Sequence, residues 1–206
     1  MLHELAQQLV DLIFDWGYFG IFIMMAIESS FIPFPSEIVL IPAGYLASQG
    51  EMGIAPIMIA ALGGSLVGAF INYFLAFWLG RKFLLRYGHY FFIKPETLLK
   101  METFFAQHGH ISTFTGRLIP GVRQLISIPA GLAKMSLVEF SLYTMLGAGI
   151  WALVLTLLGY FLGENEDLIK QYLHQITLGV VGLIFIVGVL YYRHYKKKAV
   201  HNGNDV

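Results

Sequence analysis

The sequence predicts an all-α integral membrane protein: an inverted repeat of a re-entrant helical hairpin plus a transmembrane helix, with an extra C-terminal transmembrane helix. Composition is the first observation, since 57% of the 206 residues are hydrophobic and 13% are charged, against about a quarter charged in a soluble domain. The second is a duplicated tetrapeptide, Ile41-Pro42-Ala43-Gly44 and Ile128-Pro129-Ala130-Gly131. Each copy lies in an apolar segment that contains prolines and two charges. Paired broken segments in two halves of a chain indicate a transporter site near the membrane midplane.

The hydropathy pattern predicts a single membrane domain, residues 1–206. Its segments, in order, are an amphipathic interfacial helix (1–16), a re-entrant hairpin (17–48), a transmembrane helix (54–79), a basic amphipathic connector (80–108), a second hairpin (109–135), a second transmembrane helix (140–162), a C-terminal transmembrane helix (173–192) and a basic tail (193–206). The helix breaks are assigned to Pro33, Pro35 and Pro42 in the first hairpin and to Pro120, Gly121 and Pro129 in the second.

Length and polarity justify these assignments. Residues 1–16 place apolar side chains on one helical face and acidic or amide side chains on the other, which is typical of a helix lying in the interface. The apolar run from residue 17 to 27 is too short to span a bilayer, which needs about 20 apolar residues. A hairpin fits instead, because bare backbone at that depth must be buried in protein or line a wet cavity. Residues 54–79 carry no charge and are long enough to span.

The distribution of Lys and Arg predicts the topology. None occurs before Arg81; five then fall between Arg81 and Lys100, and the tail is again rich in lysine. Cytoplasmic loops carry the excess of positive charge, so the connector and the C-terminus are predicted to be cytoplasmic. The two hairpins then open to opposite sides of a cytoplasmic membrane. A second interpretation, in which 9–27 and 30–48 both span, has the same topology but places prolines and charges in lipid.

Four charges lie in the two broken segments: Glu28 and Glu37 in the first, Arg117 and Arg123 in the second. A charge at the centre of a membrane helix costs about 2.5–3.5 kcal/mol on insertion scales. Two carboxylates that meet two guanidiniums would remove most of that cost. We therefore expect the hairpins to face each other and these side chains to pair.

Such a cluster has a structural and a functional interpretation. It could simply pin two hairpins together. The functional interpretation is favoured because each charge adjoins a helix break, and half-helix N-termini supply backbone N–H donors that favour an anion. Arginine is also the side chain suited to bidentate recognition of phosphate. Asn72 and Gln124 are weaker polar candidates beside the same segments.

The two motifs resemble a known signature. Residues 28–37 read ESSFIPFPSE and residues 116–123 read GRLIPGVR, which is similar to the paired motifs of the DedA membrane proteins, a family that shares a domain with eukaryotic lipid scramblases. The resemblance covers roughly residues 10 to 165. Many relatives carry Asp at the second acidic position, where this chain has Glu37, and often carry Asp early in the following span, where Asn72 is a polar substitute.

The resemblance implies facing re-entrant hairpins and movement of lipid across the membrane. For bacterial members the implied substrate is undecaprenyl phosphate, with dependence on the proton or sodium gradient. Glu28, Glu37, Arg117 and Arg123 match the family's essential acidic and basic residues by motif position. A carboxyl group that takes up a proton as the headgroup binds would provide such coupling.

Other function classes remain open at this stage. A proton-coupled antiporter of cations or drugs would use the glutamates as ion carriers, and a passive phospholipid scramblase would lack coupling. No nucleophile elbow, Walker loop or metalloprotease motif is present in the sequence, so we expect no enzyme activity, no metal, no cofactor and no nucleic-acid partner. The sequence leaves homo-oligomerisation open.

Overall fold

The computed structural model describes residues 16–30, 35–80, 95–119, 122–163, 165, 168, 172–183, 185 and 186. Regular structure in these residues is entirely helical, without strands. The helices are α1 (Trp16–Glu28), α2 (Glu37–Ser48), α3 (Ile54–Leu75, continued by a π-helical turn Ala76–Gly80), α4 (Pro95–Leu118), α5 (Ser127–Leu132), α6 (Leu137–Leu162) and α7 (Tyr172–Leu183). The predicted all-α class is thereby confirmed.

Two of the described helices are long and apolar enough to cross a membrane, Ile54–Trp78 and Leu137–Leu162. At 1.5 Å per residue each is about 37–39 Å long, more than the hydrocarbon thickness of about 30 Å. They correspond to the predicted spans 54–79 and 140–162. The predicted span 173–192 is described only in part, as α7. Helices α1 and α2 are much shorter.

Large apolar side chains cover the outer faces of these helices. Examples that are more than half exposed are Phe19, Ile59, Val138 and Phe161. The inner faces form a separate buried core in which Ile21, Leu40, Ile57 and Leu155 are inaccessible to solvent. A helix that is hydrophobic on both its inner and outer faces is typical of a membrane protein, because the outer face contacts lipid rather than water.

Glycines allow the helices to cross in backbone contact. A Cβ atom added at Gly64 or Gly68 of α3 would overlap carbonyl oxygens of α1, so α1 lies directly on α3. Likewise a Cβ at Gly44 of α2 would overlap the carbonyl oxygen of Thr156 in α6, and one at Gly131 of α5 would overlap that of Tyr73 in α3. The two copies of the duplicated tetrapeptide therefore each pack onto the long helix of the other half.

Two of the proposed helix-break prolines do not break a helix. Pro42 lies inside α2 and Pro129 is the third residue of α5. Pro129 is in the first helical turn, where its missing N–H has no partner to lose. Pro42 removes one bond to the carbonyl of Ile38. Helix α2 continues because the close packing of its Gly44 against α6 holds it, as neighbouring helices do for prolines in membrane helices.

Helix α4 crosses the boundary predicted between the amphipathic connector (80–108) and the second hairpin (109–135). It runs from Pro95 to Leu118 as two helical parts joined at His108, whose φ of −128° and ψ of 15° are not helical. Residues 1–15 of the predicted interfacial helix, residues 81–94 of the basic connector and the basic tail lie outside the described residues, as do Pro33, Pro120 and Gly121.

Candidate functional site

All four predicted charges lie at helix ends that adjoin a change of chain direction. Glu28 is the last residue of α1 and Glu37 is the first of α2. Arg117 lies in the last turn of α4, and Arg123 in the turn that precedes α5. Three of them, Glu28, Arg117 and Arg123, line one small cavity, and Glu37 contacts Arg123. The expected meeting of carboxylates and guanidiniums is therefore observed.

Arg123 contacts both carboxylates. Its Nε atom lies 3.0 Å from Oε1 of Glu28, and an Nη atom lies 3.8 Å from Oε1 of Glu37. The shorter contact is an ion pair without hydrogen-bond geometry. Nε of Arg123 and Oε1 of Glu28 therefore have no hydrogen-bond partner. The second oxygen of Glu28 accepts a hydrogen bond of 2.9 Å from the hydroxyl of Ser29. The Glu28 side chain is 4% exposed and that of Glu37 is 24% exposed.

Arg117 is also buried, but its described contact is a hydrogen bond and not an ion pair. Its Nη2 atom donates a hydrogen bond of 2.8 Å to the hydroxyl of Ser127, and its Nε atom has no partner. Among the described residues, no carboxylate lies within ion-pairing distance of its guanidinium. The residue is nevertheless 3% exposed. Gly147 of α6 makes this position possible, because a Cβ there would lie 2.5 Å from the Cβ of Arg117.

Asn72 connects the two charged turns. It is fully buried in α3, and its side-chain amide donates to the carbonyl of Ser29, at 3.2 Å, and to that of Gln124, at 3.1 Å. Ser29 follows Glu28 and Gln124 follows Arg123, so one amide fixes the spacing of the ion pair. The predicted contribution of Gln124 comes through its backbone carbonyl in this contact.

The cluster encloses a cavity of about 20 Å³. Its lining includes Glu28, Arg117, Arg123, Ser36 and Trp151. A volume of this size holds about one water molecule. A phosphate group, with four oxygens around its phosphorus, is several times larger, so the cavity in this conformation is closed to it.

Sequence reasoning missed several residues of this site. Trp151 is 4% exposed, and its ring centroid lies 5.6 Å from the guanidinium carbon of Arg123, within cation–π range. Ser127 and Ser29 hydrogen-bond Arg117 and Glu28. The position of Ser29 next to Glu28 was a usable signal. Trp151 carried none, because it lies in an uninterrupted apolar span. Ser127 directly precedes the second copy of the duplicated tetrapeptide, but nothing in the sequence marks its hydroxyl as a partner of Arg117.

Pro35 is the one proposed break residue that the described part of the chain places at a helix boundary. It precedes α2, and its carbonyl accepts a hydrogen bond from the amide of Ile38 at 3.2 Å. In the described ranges no group of three or more His, Cys, Asp or Glu side chains could hold a metal ion.

Comparison with known proteins identifies relatives over nearly the whole chain. The model of the VTT domain matches residues 34–161. An uncharacterized membrane protein, YkoX, of Bacillus subtilis is 40% identical over 197 residues, covering 96% of this chain and 87% of its own. An alkaline phosphatase-like protein of Lactococcus lactis subsp. cremoris is 38% identical over 194 residues, 90% of this chain and 91% of its own. No solved structure matches this chain significantly.

Another relative carries a transport function in its name. The undecaprenyl phosphate transporter A of Bacillus subtilis is 34% identical over 198 residues, which cover 96% of this chain and 98% of its own. The protein DedA of Escherichia coli also matches. The resemblance inferred from the two motifs is thereby confirmed, as is a location in the membrane. The chain belongs to the DedA family of VTT-domain membrane proteins.

Proposed function

We propose that the protein is a secondary transporter, or flippase, that moves a phosphate-headed lipid across the cytoplasmic membrane, with undecaprenyl phosphate as the substrate. The observation that carries the proposal is Arg117, a buried guanidinium that lies within ion-pairing distance of no described carboxylate and is attracted by Glu28 only from beyond that distance. A buried cation without a directly bound counter-ion is costly, and an anionic headgroup would reduce that cost. The name of the Bacillus relative supports the choice of lipid.

The arrangement of charges favours an anion over a cation as the cargo. Both glutamates contact Arg123 in this conformation, so the cluster offers no carboxylate that is free of an arginine as the site of a cationic cargo. Arg117 keeps an unpaired Nε donor beside the cavity. Arginine binds phosphate through two parallel hydrogen bonds. A cation antiporter would need the opposite balance, with a free carboxylate and compensated arginines.

The same proposal includes two facing re-entrant hairpins of inverted orientation. Helices α1 and α2 are each about 18–20 Å long at 1.5 Å per residue, well short of a bilayer core. The charged turn lies between them. The reciprocal packing of Gly44 on α6 and Gly131 on α3 supports a repeat in which each hairpin rests on the long helix of the other half. The Lys and Arg distribution supports a cytoplasmic C-terminus for this arrangement.

Transport requires the hairpins to separate, because a cavity of about 20 Å³ has no room for a headgroup. Glu37 is the most exposed of the four charged side chains and its contact with Arg123 is the longer one. Protonation of Glu28 or Glu37 would weaken one contact of Arg123, and loss of the Glu37 contact would free an Nη group of Arg123 to bind phosphate together with Arg117 while Nε stays beside Glu28. Uptake of a proton on one side and its release on the other would couple transport to the proton gradient; a sodium ion at the same carboxylate is the variant of this scheme.

The proposal is tested in proteoliposomes that contain fluorescent or radiolabelled undecaprenyl phosphate. The variants are Arg117→Lys and Arg123→Lys, which keep the charge but lose the planar fork, and the control is Lys134→Gln at an exposed position. We expect the flipping rate to fall about tenfold or more in both lysine variants, since a hydrogen bond to a charged group contributes about 1.5–3 kcal/mol. The control should flip normally.

Three outcomes would favour other functions. Full activity of both lysine variants would leave the cluster a structural feature. Flipping that is indifferent to pH, sodium and voltage would indicate a passive scramblase. Release of inorganic phosphate from the lipid would indicate a phosphatase, as the name of the Lactococcus relative suggests for that protein; we do not propose this, because the hydroxyl of Ser36 at the cavity has no base in hydrogen-bond contact among the described residues.

A further inference from the structure

We infer that Trp151 and Ser36 are headgroup-binding residues that complete the arginine cluster, donating hydrogen bonds to the oxygens of a phosphate monoester. The inference rests on the proposed function and assigns headgroup binding to two uncharged residues. Ser36 is an uncharged position of the first motif, and Trp151 lies outside both motifs. Both line the cavity. They reach it from different elements, Ser36 from the turn before α2 and Trp151 from the middle of α6.

Both side chains are buried with polar atoms that have no partner. Trp151 is 4% exposed and Ser36 is 1% exposed. The indole Nε1 and the serine Oγ make no hydrogen bond within the described structure. An unsatisfied buried donor costs about 1–3 kcal/mol, and a buried tryptophan N–H usually finds an acceptor. Phenylalanine at 151 would keep most of the aromatic packing without this cost, so we assign the N–H to a contact that the closed conformation does not make.

Three nitrogen donors at the cavity lack a hydrogen-bond partner: the indole N–H and the Nε atoms of Arg117 and Arg123. The Glu28 carboxylate is the charged acceptor in the same lining, and its Oε1 lies 3.0 Å from Nε of Arg123. These three nitrogen groups can only donate, since neither indole nor guanidinium nitrogens accept hydrogen bonds. A water molecule has two lone pairs and so accepts from only two of them. A phosphate monoester presents three acceptor oxygens and a charge of about −1.5 to −2.

The ring of Trp151 contributes a second interaction. Its centroid lies 5.6 Å from the guanidinium carbon of Arg123, where the attraction between a cation and the ring face orients the guanidinium. If Arg123 leaves Glu37 when the hairpins separate, this contact keeps the guanidinium beside the indole N–H. Trp151 thus both positions an arginine and donates to the same headgroup, and these two roles are separable by substitution.

Trp151→Phe separates them, because phenylalanine keeps an aromatic face and removes the N–H. We expect the Kd for undecaprenyl phosphate to rise about tenfold, and a similar loss for Ser36→Ala. The matched control is Trp78→Phe, at a tryptophan that is 68% exposed on the lipid-facing surface. Native mass spectrometry or binding of radiolabelled lipid gives the Kd without relying on tryptophan fluorescence. Thermal stability without ligand should not fall in Trp151→Phe, since a partnerless buried donor has been removed.

Two further measurements test whether the Trp151 indole interacts with the phosphate group of the ligand. In a Trp16→Phe/Trp78→Phe protein, Trp151 is the single tryptophan, and its emission should change on addition of undecaprenyl phosphate but not of undecaprenol. Inorganic phosphate as the probe separates a free anion from a lipid headgroup: binding that is lost equally in Trp151→Phe would show that the donor recognises the phosphate itself.

Failure of the proposed function and failure of this inference give different results. If wild type binds no undecaprenyl phosphate, the proposed function fails and this inference with it. If wild type binds the lipid and both Trp151→Phe and Ser36→Ala bind it equally well, the proposed function stands and the inference is overturned. A fall in ligand-free thermal stability of Trp151→Phe, with an unchanged Kd, would assign the indole a packing role only and would also overturn it.

Discussion

Replacement of Glu28 by glutamine should destabilise the protein far more than the same change at Glu37. Glutamine has nearly the same shape, so the substitution removes charge and leaves packing intact. Glu28 is 3.0 Å from Arg123 and its side chain is 4% exposed. Breaking a buried ion pair by removing one partner costs about 3–5 kcal/mol, because the other charge is left uncompensated. Glu37, at 3.8 Å and 24% exposed, should cost about 1 kcal/mol or less.

The assay is thermal unfolding in detergent, followed by size-exclusion chromatography of heated samples. By the scaling for soluble domains of this size, 1 kcal/mol corresponds to about 2–4 °C in Tm, so Glu28→Gln should lower Tm by about 6–20 °C. Glu51→Gln, at an exposed position, should change Tm little. Adding Arg123→Gln to Glu28→Gln should recover part of the loss, as coupled sites are non-additive.

Equal and small shifts for Glu28→Gln, Glu37→Gln and Glu51→Gln would refute this reasoning. They would mean that the Glu28 carboxylate is solvated or protonated rather than buried opposite Arg123. A loss in the double variant equal to the sum of its single losses would show that the two side chains do not interact energetically.

Three further expectations follow from contacts around the cluster. Gly147→Ala should impair transport, because the new Cβ would lie 2.5 Å from the Cβ of Arg117. The control Gly149→Ala should not impair it, because the nearest atom to its Cβ would be 3.4 Å away. Equal activity of the two variants would show that the position of Arg117 is not critical. Asn72→Leu should lower both Tm and transport, since it removes the donor to the buried carbonyl of Ser29 and to the partly buried carbonyl of Gln124; unchanged values would exclude a role in spacing the turns. A cysteine introduced at Asn165, which is exposed, should react with an impermeant reagent in intact cells; labelling only after permeabilisation would reverse the topology.

The meeting of the charges was predictable from energetics alone. Two acids and two arginines in apolar, proline-containing segments are too costly to leave unpaired, and that argument needs no knowledge of the fold. The pairing of the individual charges was not predictable: both carboxylates contact Arg123, and no described carboxylate lies within ion-pairing distance of Arg117. Which arginine receives both carboxylates depends on how the turn at Glu28 and the turn at Arg123 are placed against α3, and Asn72 sets that spacing through backbone carbonyls.

Other parts of the site depend on helix packing that sequence patterns do not reveal. Trp151 lies in a span that is apolar around its whole circumference, so periodicity gives no indication of which face turns inward. The backbone crossing at Gly147 decides it, because only glycine lets α6 pass over Arg117. Pro42 was wrongly predicted as a break, since its sequence context does not show that α6 holds the helix on both sides of it.

The most direct test of the central claim is whether the purified protein binds a phosphate-headed lipid through Arg117. Native mass spectrometry of wild type, supplied with equimolar undecaprenyl phosphate and undecaprenol, should show the phosphate retained in preference to the alcohol. Arg117→Gln should lose that preference while Lys134→Gln keeps it. Wild type that retains both lipids equally, or an Arg117→Gln protein that still selects the phosphate, would contradict the account.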